Sequence, residues 1–179
     1  MKLFIGYATN EGQTRKIAQY VADRCVDLGH SVEMMGLTDA GSVDLARFDG
    51  AVLGGSVHAG HYQRVLSDFA ADHVMALDAI PTLMISVSLA ASGHEAEDWR
   101  ALDKILADFK DATQWTPGEV AQVAGAYKPS EYDVFRRFIM RRIIKAKDPE
   151  VDPDWDAEFT DWEALDATVT AWLQRIEPE

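Results

Sequence analysis

The sequence predicts an open α/β fold: a doubly wound, five-stranded parallel sheet between two layers of helices. Three observations carry this. Short apolar runs alternate with helical patterns along most of the chain. Two of those runs, Gly50–Gly55 and Thr82–Val87, are apolar enough for central strands covered on both faces. The first run ends abruptly in a turn of hydroxyl, amide and glycine residues, and a helical pattern starts at once.

The elements follow in order. Strand 1 is expected at about Leu3–Tyr7. Helix 1 is expected at about Thr14–Leu28, where Ile17, Val21, Cys25 and Leu28 form one stripe and Gly29 ends it. Ser31–Met35 reads as a short second strand, and Thr38–Phe48 as polar loop with a helical turn at Val43–Arg47. Gly50–Gly55 is the third strand, Ser56–Tyr62 a loop, and about Gln63–His73 a helix. Pro81 opens the fourth strand, Thr82–Val87. Ser88–His94 is a small-residue loop, Glu95–Ala112 a helix, and Val120–Gly125 the fifth strand. The last helix, about Asp161–Ile176, carries Trp162, Leu165, Val169, Trp172 and Ile176 at helical spacing, which assigns those tryptophans to core packing.

The turn Thr9-Asn10-Glu11-Gly12-Gln13-Thr14 is the first candidate site. A turn entering a helix leaves backbone N–H groups without partners, and the helix dipole adds positive potential there. Thr9 and Thr14 supply hydroxyls to the same anion. Gly12 permits close approach or a positive φ. The loop is neither G-x-x-x-x-G-K-[ST] nor G-x-G-x-x-G, so it lacks both the P-loop lysine and the dinucleotide fingerprint. It suits a phosphate monoester held without a buried cation. From this segment alone, a strand-to-helix turn that binds nothing stays open beside that reading.

Composition narrows the class. The chain has 179 residues, enough for one domain and too short for two comfortable ones. The formal net charge is −13, which argues against a general nucleic-acid binder. One cysteine, Cys25, excludes an intrachain disulfide and sits on the apolar stripe of helix 1, as a buried core thiol would. No signal-peptide pattern opens the sequence, and no run approaches the ~20 apolar residues that span a bilayer. A cytoplasmic protein is expected.

In such a sheet the loops after strands 1, 3 and 4 converge. The second is Ser56, Val57, His58, Ala59, Gly60, His61 and Tyr62; the third is Ser86, Val87, Ser88, Leu89 and Ala90, continuing to Ser92. Both are rich in Gly, Ser and Ala, so main-chain donors and acceptors can reach a planar ring. Tyr62 is the candidate to stack on one face of it.

The first loop resembles flavodoxins, whose T-x-T-G-N-T-like turn holds the phosphate of FMN. Its wording, A-T-N-E-G-Q-T, is closer to the flavodoxin-like protoporphyrinogen oxidases of heme synthesis. That family reads roughly G-x-S-[IV]-x-x-G-H-Y after strand 3, matched by Gly54, Ser56, Val57, Gly60, His61 and Tyr62. It reads S-V-x-L-x-A after strand 4, matched by Ser86, Val87, Leu89 and Ala91. It reads A-G-A after strand 5, as in Ala124-Gly125-Ala126, and Y/F-T-D-W-E near the end, as in Phe159-Thr160-Asp161-Trp162-Glu163. The likeness covers nearly the whole chain in order. It departs at Glu11, where an Asp is usual, at His58 and Ala59, where a basic and an aromatic residue are usual, and at Ser92, near where an arginine would close the loop.

The resemblance implies the strand order 2-1-3-4-5, FMN as cofactor, and a ligand at the carboxyl ends of the strands. It implies FMN contacts from residues 9–14, from Ser56 to Gly60 with Tyr62, and from Ser86 to Ala90. Gly60 would then permit the peptide rearrangement such sites use when the flavin N5 gains a proton. The resemblance also implies one domain, 1–179, with an insertion at about 127–158 before the last helix. That insertion holds the sharpest charge asymmetry of the chain: Arg136, Arg137, Arg141, Arg142, Lys145 and Lys147, with no acid between Val134 and Lys147. Read as a helix it is amphipathic but imperfect. Either it packs with a solvated basic face, or it meets anionic lipid, quinone, substrate propionates or a protein partner.

The loop Ser88–Ser92 offers only Leu, Ala and Ser, which would leave one flavin face open to a flat substrate. The implied activity is oxidation of protoporphyrinogen IX with a quinone as acceptor, peripheral to the inner membrane. The alternative is a flavodoxin-like electron carrier or a general FMN-dependent quinone reductase. No acid or base is forced by the sequence; His58 and His61 are the nearby titratable candidates.

Overall fold

A computed structural model of the chain describes residues 1–93, 95–127 and 156–177. Strand β1 (Lys2–Ala8) runs into helix α1 (Gln13–Asp27), followed by β2 (Ser31–Gly36). Then come β3 (Gly50–His58), β4 (His61–Tyr62), α2 (Arg64–Asp72), α3 (Val74–Leu77) and β5 (Thr82–Ser88). Helix α4 (Ala96–Thr113), β6 (Glu119–Ala124), β7 (Ala126–Tyr127), β8 (Ala157–Glu158) and α5 (Trp162–Ile176) complete the described elements.

The five long strands are parallel, in the order β2-β1-β3-β5-β6. This is the expected 2-1-3-4-5 order once the two-residue β4 is counted. The strands alternate side chains between two cores, as period-2 geometry requires. Leu3, Ile5, Val52, Leu83 and Ile85 face α1 and α5, meeting Ile17, Val21, Val169 and Trp172. Phe4, Leu53 and Met84 face the opposite layer, meeting Leu66, Phe69, Phe109 and Trp115. Burial of each large aliphatic side chain contributes roughly 1.5–3 kcal/mol, so both layers are needed to hold the sheet. Cys25 and Trp172 are core residues, as the helical stripes predict. Trp162 is only partly buried, against Tyr20.

Several segments differ from expectation. Strand β3 continues through Ser56, Val57 and His58, since Ser56 still pairs with Val87 and the next residues fold back on β4. The expected loop is therefore a hairpin, Val57 opposite Tyr62 and His58 opposite His61. The polar stretch after β2 contains a second helical turn, Leu37–Asp39, besides the expected one, found at Leu45–Arg47.

Strands β7 and β8 pair antiparallel, Ala126 opposite Glu158. The described residues on the two sides of stretch 128–155 thus meet at one place. The basic stretch with Arg136, Arg137, Arg141, Arg142 and Lys145 lies outside the described residues. No helix among the described residues is long and apolar enough to cross a membrane.

Candidate functional site

The turn after β1 is built around Gly12, the N-cap of α1, which has φ 85° and ψ −12°. A side chain there would be strained, so glycine is required. The Gly12 N–H donates to Thr9 Oγ1 at 2.9 Å, which closes the turn and leaves the Thr9 hydroxyl hydrogen to donate outward. The helix makes its first backbone bond from the Lys16 N–H to the Gly12 carbonyl. Geometry leaves the preceding N–H groups without an intrahelical acceptor, and α1 has neither a side-chain cap nor an acid in its first turn. Thr14 Oγ1 and Gln13 Oε1 are buried, with no hydrogen-bond partner among the described residues. Buried polar atoms are rarely left so. A phosphate oxygen can accept from the Thr14 hydroxyl, and a ligand hydroxyl can donate to Gln13.

The other loops meet this turn at the carboxyl edge of the sheet. The β3–β4 hairpin turns on Ala59 (φ 50°) and Gly60 (φ 82°), both left-handed. Ala59, Gly60 and His61 are exposed, and Val57 and His58 half-buried. Gln63 holds the hairpin's base. Its Oε1 accepts from the Ser56 N–H at 2.9 Å, and its Nε2 donates to the Ser56 hydroxyl. His58 Nε2 lies 3.5 Å from Glu11 Oε2, which ties hairpin to turn. After β5, the Ala91 N–H donates to Ser88 Oγ at 3.1 Å, and the indole N–H of Trp99 donates to the Gly93 carbonyl at 3.1 Å. Leu89 and Ala90 are half-buried on that turn.

Several of the expected contact residues have their side chains inside the fold. Tyr62 is not free to stack on a ligand: it is 7% exposed, edge-on to Phe109 at 5.1 Å, and its hydroxyl donates to Ser86 Oγ at 2.8 Å. Burial pushes the Tyr62 phenol upward, the bond to Ser86 pulling back by less. The Ser86 and Val87 side chains are likewise buried, the one against Tyr62 and the other in the α1–α5 core. Side-chain contact from Ser56 is limited by Gln63. The structure brings together Thr9–Thr14, the hairpin tip at 57–61 and the turn at 88–90.

One participant had no signal in the sequence. Glu158, on β8, accepts from Gln13 Nε2 at 3.1 Å, from Lys16 Nζ at 2.6 Å and from the Trp162 indole N–H at 2.9 Å. Burial raises its carboxyl pKa, but these hydrogen bonds and the charge of Lys16 outweigh burial and hold it below the ordinary value. No metal-binding cluster of His, Cys, Asp and Glu occurs among the described residues.

A parallel α/β sheet with an amide-lined anion cradle and two small-residue loops at its carboxyl edge defines a mononucleotide-binding domain. The model of the flavodoxin domain family matches residues 4–154. The chain belongs to that family, in the branch that includes the protoporphyrinogen IX dehydrogenases (quinone), and its cofactor is FMN. The protoporphyrinogen IX dehydrogenase (quinone) of Escherichia coli strain K12 is 30% identical over 165 residues, 92% of this chain and 91% of that one. Its namesake from Leishmania major is 28% identical over 172 residues, 92% of this chain and 71% of that one. Among solved structures, a short-chain flavodoxin associated with a non-canonical PDU bacterial microcompartment superposes with TM-score 0.59 at 16% identity, over 99% of each chain. Oxidised Flavodoxin 2 from Bacillus cereus gives 0.56 at 16% identity, over 98% of this chain and 99% of that one. These two share the fold.

Proposed function

We propose that this chain is an FMN-dependent dehydrogenase that oxidises protoporphyrinogen IX to protoporphyrin IX in heme biosynthesis and passes the electrons to a quinone. The observation that carries this reading is the end-to-end relation to enzymes of that name, 30% identical across 92% of the chain. The geometry supports it over an electron carrier. Tyr62 is withdrawn into the core, and neither the hairpin residues 56–61 nor the turn 88–93 contains Phe, Tyr or Trp. A flavin lying between them keeps a face accessible to a flat ring.

FMN supplies the two-electron acceptor. The chain's residues hold and orient it: first-turn N–H groups of α1 and the hydroxyls of Thr9 and Thr14 take the phosphate. Main-chain groups of Val57–Gly60 and Ser88–Ala90 reach the ring edges, and Leu89 and Ala90 limit water at its face. His58, paired with Glu11, and His61, exposed on β4, are the imidazoles nearest the hairpin tip. The basic residues Arg136–Lys147 favour an anionic membrane surface, where a quinone resides.

Anaerobic mixing of the FMN-loaded protein with protoporphyrinogen IX tests the reading. Bleaching of the flavin band with appearance of porphyrin absorbance is expected. Bleaching only by a flavoprotein reductase would leave the carrier. Flotation with anionic vesicles, compared with an Arg137→Glu/Arg141→Glu variant, tests the surface; equal flotation would remove it.

A further inference from the structure

We infer that Glu158, on the strand that returns after the insertion, is a positioning residue for the hydroxyl-bearing ribityl tail of FMN, acting through Gln13 and Lys16 on the first turn of α1. This rests on FMN binding and not on the oxidation proposed above. Gln13 and Lys16 are the first and fourth residues of α1, the turn whose N–H groups face the anion. Both reach Glu158 Oε2, while the indole of Trp162 holds Oε1. The Gln13 amide cannot turn over. Thr160 gives its one hydroxyl hydrogen to the Ala124 carbonyl at 2.7 Å, so it must accept from Gln13 Nε2, 3.0 Å away. That fixes Gln13 Oε1 as the buried atom left without a partner. It is a buried acceptor to which a ribityl hydroxyl, present in FMN and riboflavin alike, can donate, and Glu158 and Thr160 hold it in place.

The pairing also removes Lys16 from competition. Its ammonium is spent on Glu158 and stacked over the Trp162 ring at 5.1 Å, so the anion is met by oriented amides. Position and charge therefore predict opposite outcomes. Loss of the Glu158 charge alone favours a dianion. Loss of its hydrogen bonds frees Gln13 and loosens the first turn.

The test is binding of FMN and of riboflavin, which lacks the phosphate, followed by quenching of flavin fluorescence in the full-length apoprotein. Glu158→Ala should weaken riboflavin about tenfold, the scale of one hydrogen bond to a charged group, and FMN by as much or less, because loss of the carboxylate charge favours the phosphate. Glu158→Gln, which keeps an oxygen for Gln13 and Lys16, should restore most of the loss. Gln13→Met should reproduce the loss, and adding it to Glu158→Ala should cost nothing further. Should Glu158→Ala not fold, Gln13→Met and Glu158→Gln carry the same comparison. A larger loss of FMN than of riboflavin, unchanged binding of both flavins, or tighter binding of riboflavin in both Glu158 variants overturns the inference. A wild-type protein that binds neither flavin would overturn the cofactor assignment itself.

Discussion

Glu11 Oε2 stands 3.5 Å from His58 Nε2, so an acidic and an imidazole side chain bridge the phosphate turn and the β3–β4 hairpin. The Glu11 side chain is only 13% exposed, and it brings a negative charge to the place where the fold gathers amides for an anion. The His58 imidazole is packed beside it.

Replacing that acid should help the cofactor. Glu11→Gln is expected to tighten FMN roughly threefold to fivefold at low salt, with the gain shrinking as ionic strength rises. His58→Ala should do the reverse, because it removes the imidazole beside the carboxylate. Fluorescence titrations at two salt concentrations measure both. Weaker binding in Glu11→Gln would mean that the carboxylate props the turn open and does not oppose the ligand.

Tyr62→Phe separates a core role from a ligand role. The change strips the Ser86 hydroxyl of its buried donor and should cost about 1–2 kcal/mol in urea unfolding. The absorbance bands of bound FMN should not move, since the ring packs on Phe109. A shifted flavin band would put the ring against the cofactor after all.

The difference between those two roles marks what was legible in the sequence. Strand positions and helical stripes depend on local pattern, and the opposite faces of Leu3 and Phe4 or the shared stripe of Ile17 and Val21 can be read from spacing alone; the strand order follows from the family resemblance. The hairpin cannot. Its tip is Ala59-Gly60, where two-residue turns favour Asn-Gly or Gly-Gly, and Ala59 takes φ 50° against its own preference. With the hairpin hidden, Tyr62 looked like a loop aromatic when it is a cross-strand partner of Val57. Glu158 is 145 residues from Gln13, and no spacing announces a contact made only by the return of an insertion.

Cys25 gives a prediction independent of ligand. The thiol is fully buried, and burial pushes its pKa up to about 11 from 9.0, the charge of Arg24 pulling back by less. The neutral thiol is favoured in the fold. Its contribution is complete below the unfolded value and is lost as pH rises through the folded one, between 9.0 and about 11. Cys25→Ala should flatten the fall of stability across that window. In native protein at neutral pH the thiol should resist a disulfide reagent until the chain unfolds. Rapid native labelling would contradict the burial.

The bare loops make the last prediction, and it bears on the reaction itself. Leu89 lies half-buried on the turn after β5, next to Ser88, whose hydroxyl caps that turn by accepting from Ala91. If that turn borders the flavin face used by a ring substrate, a large aromatic there fills the space the substrate needs. Leu89→Trp should lower kcat/KM for protoporphyrinogen IX by about tenfold or more, because reacting atoms must approach to ~3–3.5 Å. Reduction of the flavin by dithionite, which needs no docked ring, should keep its rate. Equal slowing of both would show that the indole disturbs the cofactor. An unchanged kcat/KM would put the substrate on the opposite face, beside His58.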